Sequence, residues 1–144
     1  MKRHVYLLRG SSGAGKSTFA NILLGSLWGN EGPTNDKTIC CADDYCYDSE
    51  GNYNWSPKTV KENHQKCRDK FSLAIESGCA NIIVANTNTK PFEFEFYEKL
   101  AKENGYQFFS IVMENRHGNQ NVHSVPQEVV RNQAKNIQNN LKLC

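Results

Sequence analysis

Gly10-Ser11-Ser12-Gly13-Ala14-Gly15-Lys16-Ser17-Thr18 sets a glycine, four intervening residues and then Gly-Lys-Ser in unbroken order. This is the phosphate-binding P-loop pattern G-x-x-x-x-G-K-[ST]. The residue types follow from the chemistry. Glycines let the backbone turn tightly and present its N–H groups to a phosphate chain. Lys16 can then reach the β- and γ-phosphates, and the Ser17 hydroxyl can ligate Mg²⁺. The flanks agree. His4, Val5, Tyr6, Leu7 and Leu8 form a β-favouring run before the loop, and Phe19, Leu23 and Leu27 recur at helical spacing after it. The loop therefore joins a strand to a helix N-terminus, where dipole and free N–H groups favour an anion. ATP is the expected ligand of residues 10–18, with Mg²⁺ as its cofactor.

The chain has 144 residues and a net charge of +2. That length accommodates one domain with a real core, and the balance of charge gives no strong global attraction to nucleic acid. The chain is expected to be a single domain over residues 1–144. Met1-Lys2-Arg3 precedes an apolar run too short for a leader, and no stretch is long enough to span a membrane. Six cysteines are scattered without a C-x-x-C pair, which fits reduced thiols in the cytoplasm, or in a host cytoplasm for a viral protein.

Alternating strand and helix signals follow. Residues 29–36 read as a surface loop rich in Gly, Pro and Asn. Thr38-Ile39-Cys40-Cys41-Ala42 reads as a buried strand ending in Asp43-Asp44. Ser56 and Pro57 read as a helix start, with Val60, His64, Cys67, Phe71 and Ala74 as its apolar stripe and Gly78 as its stop. Ile82-Ile83-Val84-Ala85 is a strand buried on both faces, ending in Asn86-Thr87-Asn88-Thr89. A helix from Pro91 carries Phe92, Phe96 and Leu100 on one face and stops at Gly105. Residues 106–112 form the next strand, and Pro126 opens a last helix with Val130, Ala134, Ile137 and Leu141. This order predicts an α/β fold, a P-loop NTPase three-layer sandwich. Its sheet is mainly parallel, of four to five strands, with helices on both faces. Ligands collect at the carboxyl ends of such strands, so four stretches should converge: the P-loop, Asp43-Asp44, Asn86-Thr87-Asn88 and the segment after Val112.

Phosphoryl transfer needs a carboxylate near the γ-phosphate, to accept a proton from an acceptor hydroxyl or to hold Mg²⁺. Asp43 is assigned as the base and a metal ligand, and Asp44 as its neighbour on the substrate side. Thr87 and Asn88 can contact phosphate, metal-bound water or acceptor, or can serve as hydrogen-bonded turn residues. The third strand lacks an acidic residue in its final positions, so Mg²⁺ would rest on Ser17, the phosphates and Asp43. Arg116 and Arg131 are candidates to offset transition-state charge, because a planar multi-donor cation suits a transferring phosphoryl group. His117 and His123 stand between loop packing and substrate contact, and Lys135 reads as solvated. Tyr45, Tyr47, Tyr53 and Trp55 either stack on a nucleobase or form a small satellite core. His64 and Cys67 read as core.

With these residues in hand, the chain resembles the polynucleotide-kinase-like P-loop kinases, which include phage 5′-polynucleotide kinase domains and short ATP-binding kinases related to them. The likeness runs from about Arg3 to Leu141. It rests on Tyr6-Leu7-Leu8-Arg9-Gly10 through Thr18, Ala42-Asp43-Asp44-Tyr45, Gly51-Asn52-Tyr53-Asn54-Trp55-Ser56-Pro57, Asn86-Thr87-Asn88-Thr89 and Val122-His123-Ser124-Val125-Pro126. It implies that Lys16 and Ser17 handle ATP and Mg²⁺ and that Asp43 is the general base. It also implies a lid-like segment at about 113–126, carrying Arg116 and leading to Arg131. Tyr45, with Asp44, Thr87, Asn88 and His123, falls on the substrate side. Two positions depart from the pattern: Cys46 stands where the phage enzyme has an acceptor-side arginine, and Ala85 where many relatives have Asp.

The expected activity is transfer of the ATP γ-phosphate to a hydroxyl. The acceptor of first choice lies on a polynucleotide, a 5′-hydroxyl end or a hydroxymethylated base. A small-metabolite or nucleoside kinase is the alternative, and an ATP-binding regulatory module without useful catalysis is an alternative of another class.

Overall fold

The computed structural model describes residues 2–28, 36–118 and 123–143. The expected surface loop at 29–36 falls outside them except for Asp36, as do residues 119–122 of the lid-like segment. The elements alternate: β1 (His4–Arg9), α1 (Lys16–Trp28), β2 (Lys37–Cys40), a 3₁₀ turn (Ala42–Cys46), α2 (Val60–Glu76), β3 (Asn81–Ala85), α3 (Pro91–Glu103), β4 (Gln107–Val112) and α4 (Gln127–Asn139). The strands form one sheet in the order β2-β3-β1-β4, and every pair is parallel. Among the described residues the sheet of the α/β sandwich thus has four strands.

Strand alternation divides the core in two. Val5, Leu7, Ile82 and Val84 face Cys67, Phe71 and Ile75 of α2 and Tyr97 and Ala101 of α3. Leu8, Ile83 and Ala85 face Ala20 of α1, with Phe19, Leu23 and Leu24 beside it. Of these helices, α1 covers one face and α2 and α3 the other. Every residue of β3 is buried, as its unbroken apolar run requires of an interior parallel strand. The edge strand β4 is largely exposed.

Gly78 and Gly105 end α2 and α3 in the same way. Each has positive φ, at 72° and 76°. The N–H of Gly78 donates to Ile75 and that of Cys79 to Ala74, while Gly105 donates to Lys102 and Tyr106 to Ala101. This double bonding closes the last turn and needs a left-handed residue where only glycine is unstrained.

Two boundaries and one helix face differ from expectation. Ser56 and Pro57 start a separate turn, in which the Ser56 carbonyl accepts from the Thr59 and Val60 N–H groups, and α2 follows from Val60. Strand β2 stops at Cys40, because the chain turns at once into the 3₁₀ segment. On α3 the buried line runs through Tyr97 and Ala101, and Phe92 is 73 % exposed. Edge-to-face packing of Tyr97 on Phe71, at 5.0 Å between ring centroids, sets that rotation. Among the described residues no helix is long and apolar enough to cross a membrane, and five cysteines are free thiols.

Candidate active site

The P-loop leaves β1 and enters α1 at Lys16. Gly13 and Gly15 adopt φ of 84° and 92°, a left-handed backbone that glycine alone takes without strain. A Cβ on Gly10 would lie 3.1 Å from the Ala14 Cβ and 3.2 Å from the Met113 carbonyl. The loop is tied to the sheet by the Gly10 N–H, which donates to the Thr87 carbonyl at 3.1 Å, and to α4 by the Ser12 N–H, which donates to Gln133 Oε1 at 2.8 Å. Lys16 Nζ donates to the carbonyls of Gly10 and Ser11, both at 2.9 Å. Burial lowers its pKa to about 8, with Asp43 and Cys41 opposing that shift.

Asp43 is carried on the 3₁₀ turn after β2. Asn86, at the end of β3, fixes that turn: its Oδ1 accepts from the Ala42 N–H at 2.8 Å, and its Nδ2 donates to Cys67 Sγ at 3.6 Å. The Tyr53 hydroxyl reaches Asp43 Oδ1 at 3.5 Å, and the Tyr53 ring stacks on His123 at 3.9 Å and 17°. Burial, with Asp43 second, raises the Tyr53 pKa, so the phenol stays protonated.

A cavity of about 940 Å³ lies between these parts. Residues 12–18 of the P-loop line it, together with Asp43, Thr87 and His123. Its walls also take in Cys46, already marked as an acceptor-side position, and residues that the sequence did not single out for substrate contact: Val60, Asn63, His64 and Gln133. A crossover helix starts at the carboxyl edge of the sheet, so the first turns of α2 reach the rim by topology. That was the available signal for Val60, Asn63 and His64. His64 lies beside the cleft on α2, and burial, then Arg68, lowers its pKa. The imidazole of His117 lies against the P-loop, its Nε2 placed 3.5 Å from where a Cβ on Gly15 would be.

Other expected site residues do not line this cavity. Asp44 sits near Lys70; desolvation raises its carboxyl pKa and Lys70 opposes it. Tyr45 packs against the α2–α3 side of the core. Asn88 is buried with φ 47°, and its Nδ2 donates to the Leu8 carbonyl at 2.9 Å, a bond that clamps β3's end to β1. Arg116 is exposed and pairs with Glu114, and Arg131 is exposed on α4. Arg9, read only as the end of a strand, is buried; its Nε donates to the Asn88 carbonyl at 2.8 Å and its guanidinium lies 4.4 Å from the Phe94 ring centroid.

Mg²⁺ is a hard cation that takes oxygen ligands. The Ser17 hydroxyl and the Asp43 carboxylate line the same cavity, so the donor chemistry available there fits the ion.

No protein-family model matches the chain. Human NEDD4-binding protein 2 is 32 % identical over 101 residues, which is 70 % of this chain and 5 % of that protein. A putative bifunctional polynucleotide kinase/RNA ligase of Autographa californica nuclear polyhedrosis virus is 27 % identical over 114 residues, 78 % of this chain and 16 % of that protein. The chain thus spans a small part of the curated relatives it matches. Among solved structures, a chain of the Pnkp1/Rnl/Hen1 RNA repair complex superposes with a TM-score of 0.69 at 17 % identity, covering 96 % of this chain and 45 % of that one. The Mycobacterium tuberculosis APS kinase CysC, in complex with AMPPNP and APS, superposes with a TM-score of 0.53 at 16 % identity, covering 78 % and 63 %. The chain has the fold of the polynucleotide-kinase-like P-loop kinases.

Proposed function

We propose that this protein is an ATP-dependent kinase that transfers the γ-phosphate to a hydroxyl, most favourably on a polynucleotide. The observation that carries the reading is a single cavity lined on one side by the P-loop and on the other by Asp43. The P-loop amides and Lys16 hold the β- and γ-phosphates. Ser17 and Asp43 would hold Mg²⁺, which supplies charge neutralisation to the phosphates when bound. Asp43 accepts the proton of the acceptor hydroxyl as its oxygen forms the new bond to the γ-phosphorus. The bond from that phosphorus to the β–γ bridging oxygen breaks, and ADP leaves. Arg116 or Arg131, carried by or next to the lid-like segment, would offset charge on the transferring group.

A second reading, a small-molecule kinase, draws support from the likeness to APS kinase and from the modest net charge. The two are separated by incubating the protein and γ-labelled ATP with 5′-hydroxyl DNA, 5′-hydroxyl RNA, duplex bearing hydroxymethylated bases, and nucleosides. Label on a polynucleotide, lost in Asp43→Asn, is the expected result. Label on none of them, or undiminished label with Asp43→Asn, overturns the reading.

A further inference from the structure

Resting on the kinase reading, we infer that the acceptor side of the cavity takes an uncharged hydroxyl unit, a nucleoside or the nucleoside end of a chain, and holds no phosphate of that unit. Lys16 is the one Lys or Arg among the described residues that line the cavity. Its ammonium lies on the P-loop carbonyls, on the donor side. Residues 29–35 and 119–122 contain no Lys or Arg. Three cations of α2 make contacts of their own. Lys66 pairs with Glu62 at 3.2 Å, Arg68 donates to Gln65 Oε1 at 3.1 Å, and Lys70 donates to the Ile39 carbonyl at 2.6 Å.

The groups present on that wall suit a neutral ring system. Tyr53 and His123 form a stacked pair across the cleft, and Trp55 is 54 % exposed at its edge. A base can stack on such faces whatever its sequence. Cys46 and Val60 add apolar surface, and Asn63 and His64 add hydrogen-bonding groups without a fixed charge. The carboxylate of Asp43 stands beside this wall. A phosphate brought against this wall would find no Lys or Arg lining it, whereas a hydroxyl can donate to the Asp43 carboxylate. Position 46 shows the same choice on a single residue, a buried thiol that accepts from Asn63 Nδ2 at 3.4 Å.

The test uses the full chain saturated with AMPPNP and Mg²⁺. Binding of thymidine, thymidine 3′-monophosphate and the 5′-hydroxyl dinucleotide dTpdT is measured by calorimetry at low and at raised salt. The expected dissociation constants agree within about threefold, and none shifts by more than about twofold between about 50 and about 300 mM salt. A 3′-monophosphate or dinucleotide that binds about tenfold or more tighter than the nucleoside, with the advantage lost in salt, overturns the inference. So does failure of the nucleoside to bind. Transfer from γ-labelled ATP, measured on the same three acceptors, keeps the two claims apart. Nucleoside binding without transfer to any acceptor leaves the neutral pocket standing and defeats the kinase reading. Transfer that depends on the 3′-phosphate leaves the kinase reading standing and defeats the neutral pocket.

Discussion

Nucleotide affinity should fall by about tenfold between pH 7 and pH 9, because Lys16 in the free protein is half-deprotonated near pH 8. The sign follows from two states of one ammonium. Burial against the Gly10 and Ser11 carbonyls lowers its pKa to about 8 in the empty site. A triphosphate beside it favours the charged form and returns the pKa toward that of a solvated lysine. Between the two values a proton must be taken up for the nucleotide to bind. With a free-site pKa of about 8, the protonated fraction drops from about 0.9 at pH 7 to about 0.1 at pH 9, so affinity falls by that ratio. Calorimetric titration with AMPPNP, in buffers of different ionisation enthalpy, reads both quantities. About nine-tenths of a proton should enter per nucleotide bound at pH 9, and very little at pH 7. Lys16→Met should weaken binding and flatten the profile. An unchanged affinity from pH 7 to 9, or no proton uptake at pH 9, would refute the reasoning. The same shift acts on folding with the opposite slope. The unfolded chain keeps this lysine protonated to higher pH than the native state, so its contribution to stability improves as pH rises through about 8 toward the unfolded value.

Asp43→Asn should lower transfer by about two to four orders of magnitude while AMPPNP affinity stays within about threefold, read by single-turnover kinetics and calorimetry. Asn86→Ala leaves the Ala42 N–H without its 2.8 Å partner; urea unfolding should show a loss of about 1–3 kcal/mol, and an unchanged midpoint would remove Asn86 as the clamp of that turn. Phe71→Ala empties a fully buried site between Phe96 and Tyr97 and should cost about 3–5 kcal/mol in the same measurement. Tyr53→Ala removes the ring stacked on His123; it should weaken nucleoside binding by about tenfold and leave AMPPNP binding within about twofold, which equilibrium titration of both ligands would check.

What could be read from the sequence was local or enforced by topology. The P-loop is contiguous, Gly78 and Gly105 stop helices through their own backbone, and an unbroken apolar run such as Ile82 to Ala85 admits an interior parallel strand. What escaped depended on contacts between distant elements. Phe92 and Phe96 have the spacing of a buried stripe on α3, but the fit of Tyr97 against Phe71 turns that helix by part of a turn. Arg9 gives no sign in sequence that it will be buried, since its partners are carbonyls some eighty positions away. Asn86, Thr87 and Asn88 are chemically alike as candidates. Only the register of β1 against β3 separates a clamp under the 3₁₀ turn, a cavity-lining residue and a bond to Leu8. The aromatic loop divides in the same manner: Tyr45 joins the core, Tyr53 faces the cleft, and Tyr47 and Trp55 are exposed.

The strand order carries a consequence for how such a protein can change. The P-loop hangs from β1, which has a hydrogen-bonded neighbour on each side, whereas Asp43 and the aromatic wall follow β2, which among the described residues is bonded on one side only. Edge segments open locally at lower free energy than interior ones. Substitutions and insertions after β2 can therefore reshape what enters the cleft while the strand beneath the phosphate loop stays intact. A lineage built on this plan can exchange one acceptor for another and keep its donor, with the sheet's margin serving as the editable part and its centre as the part held constant.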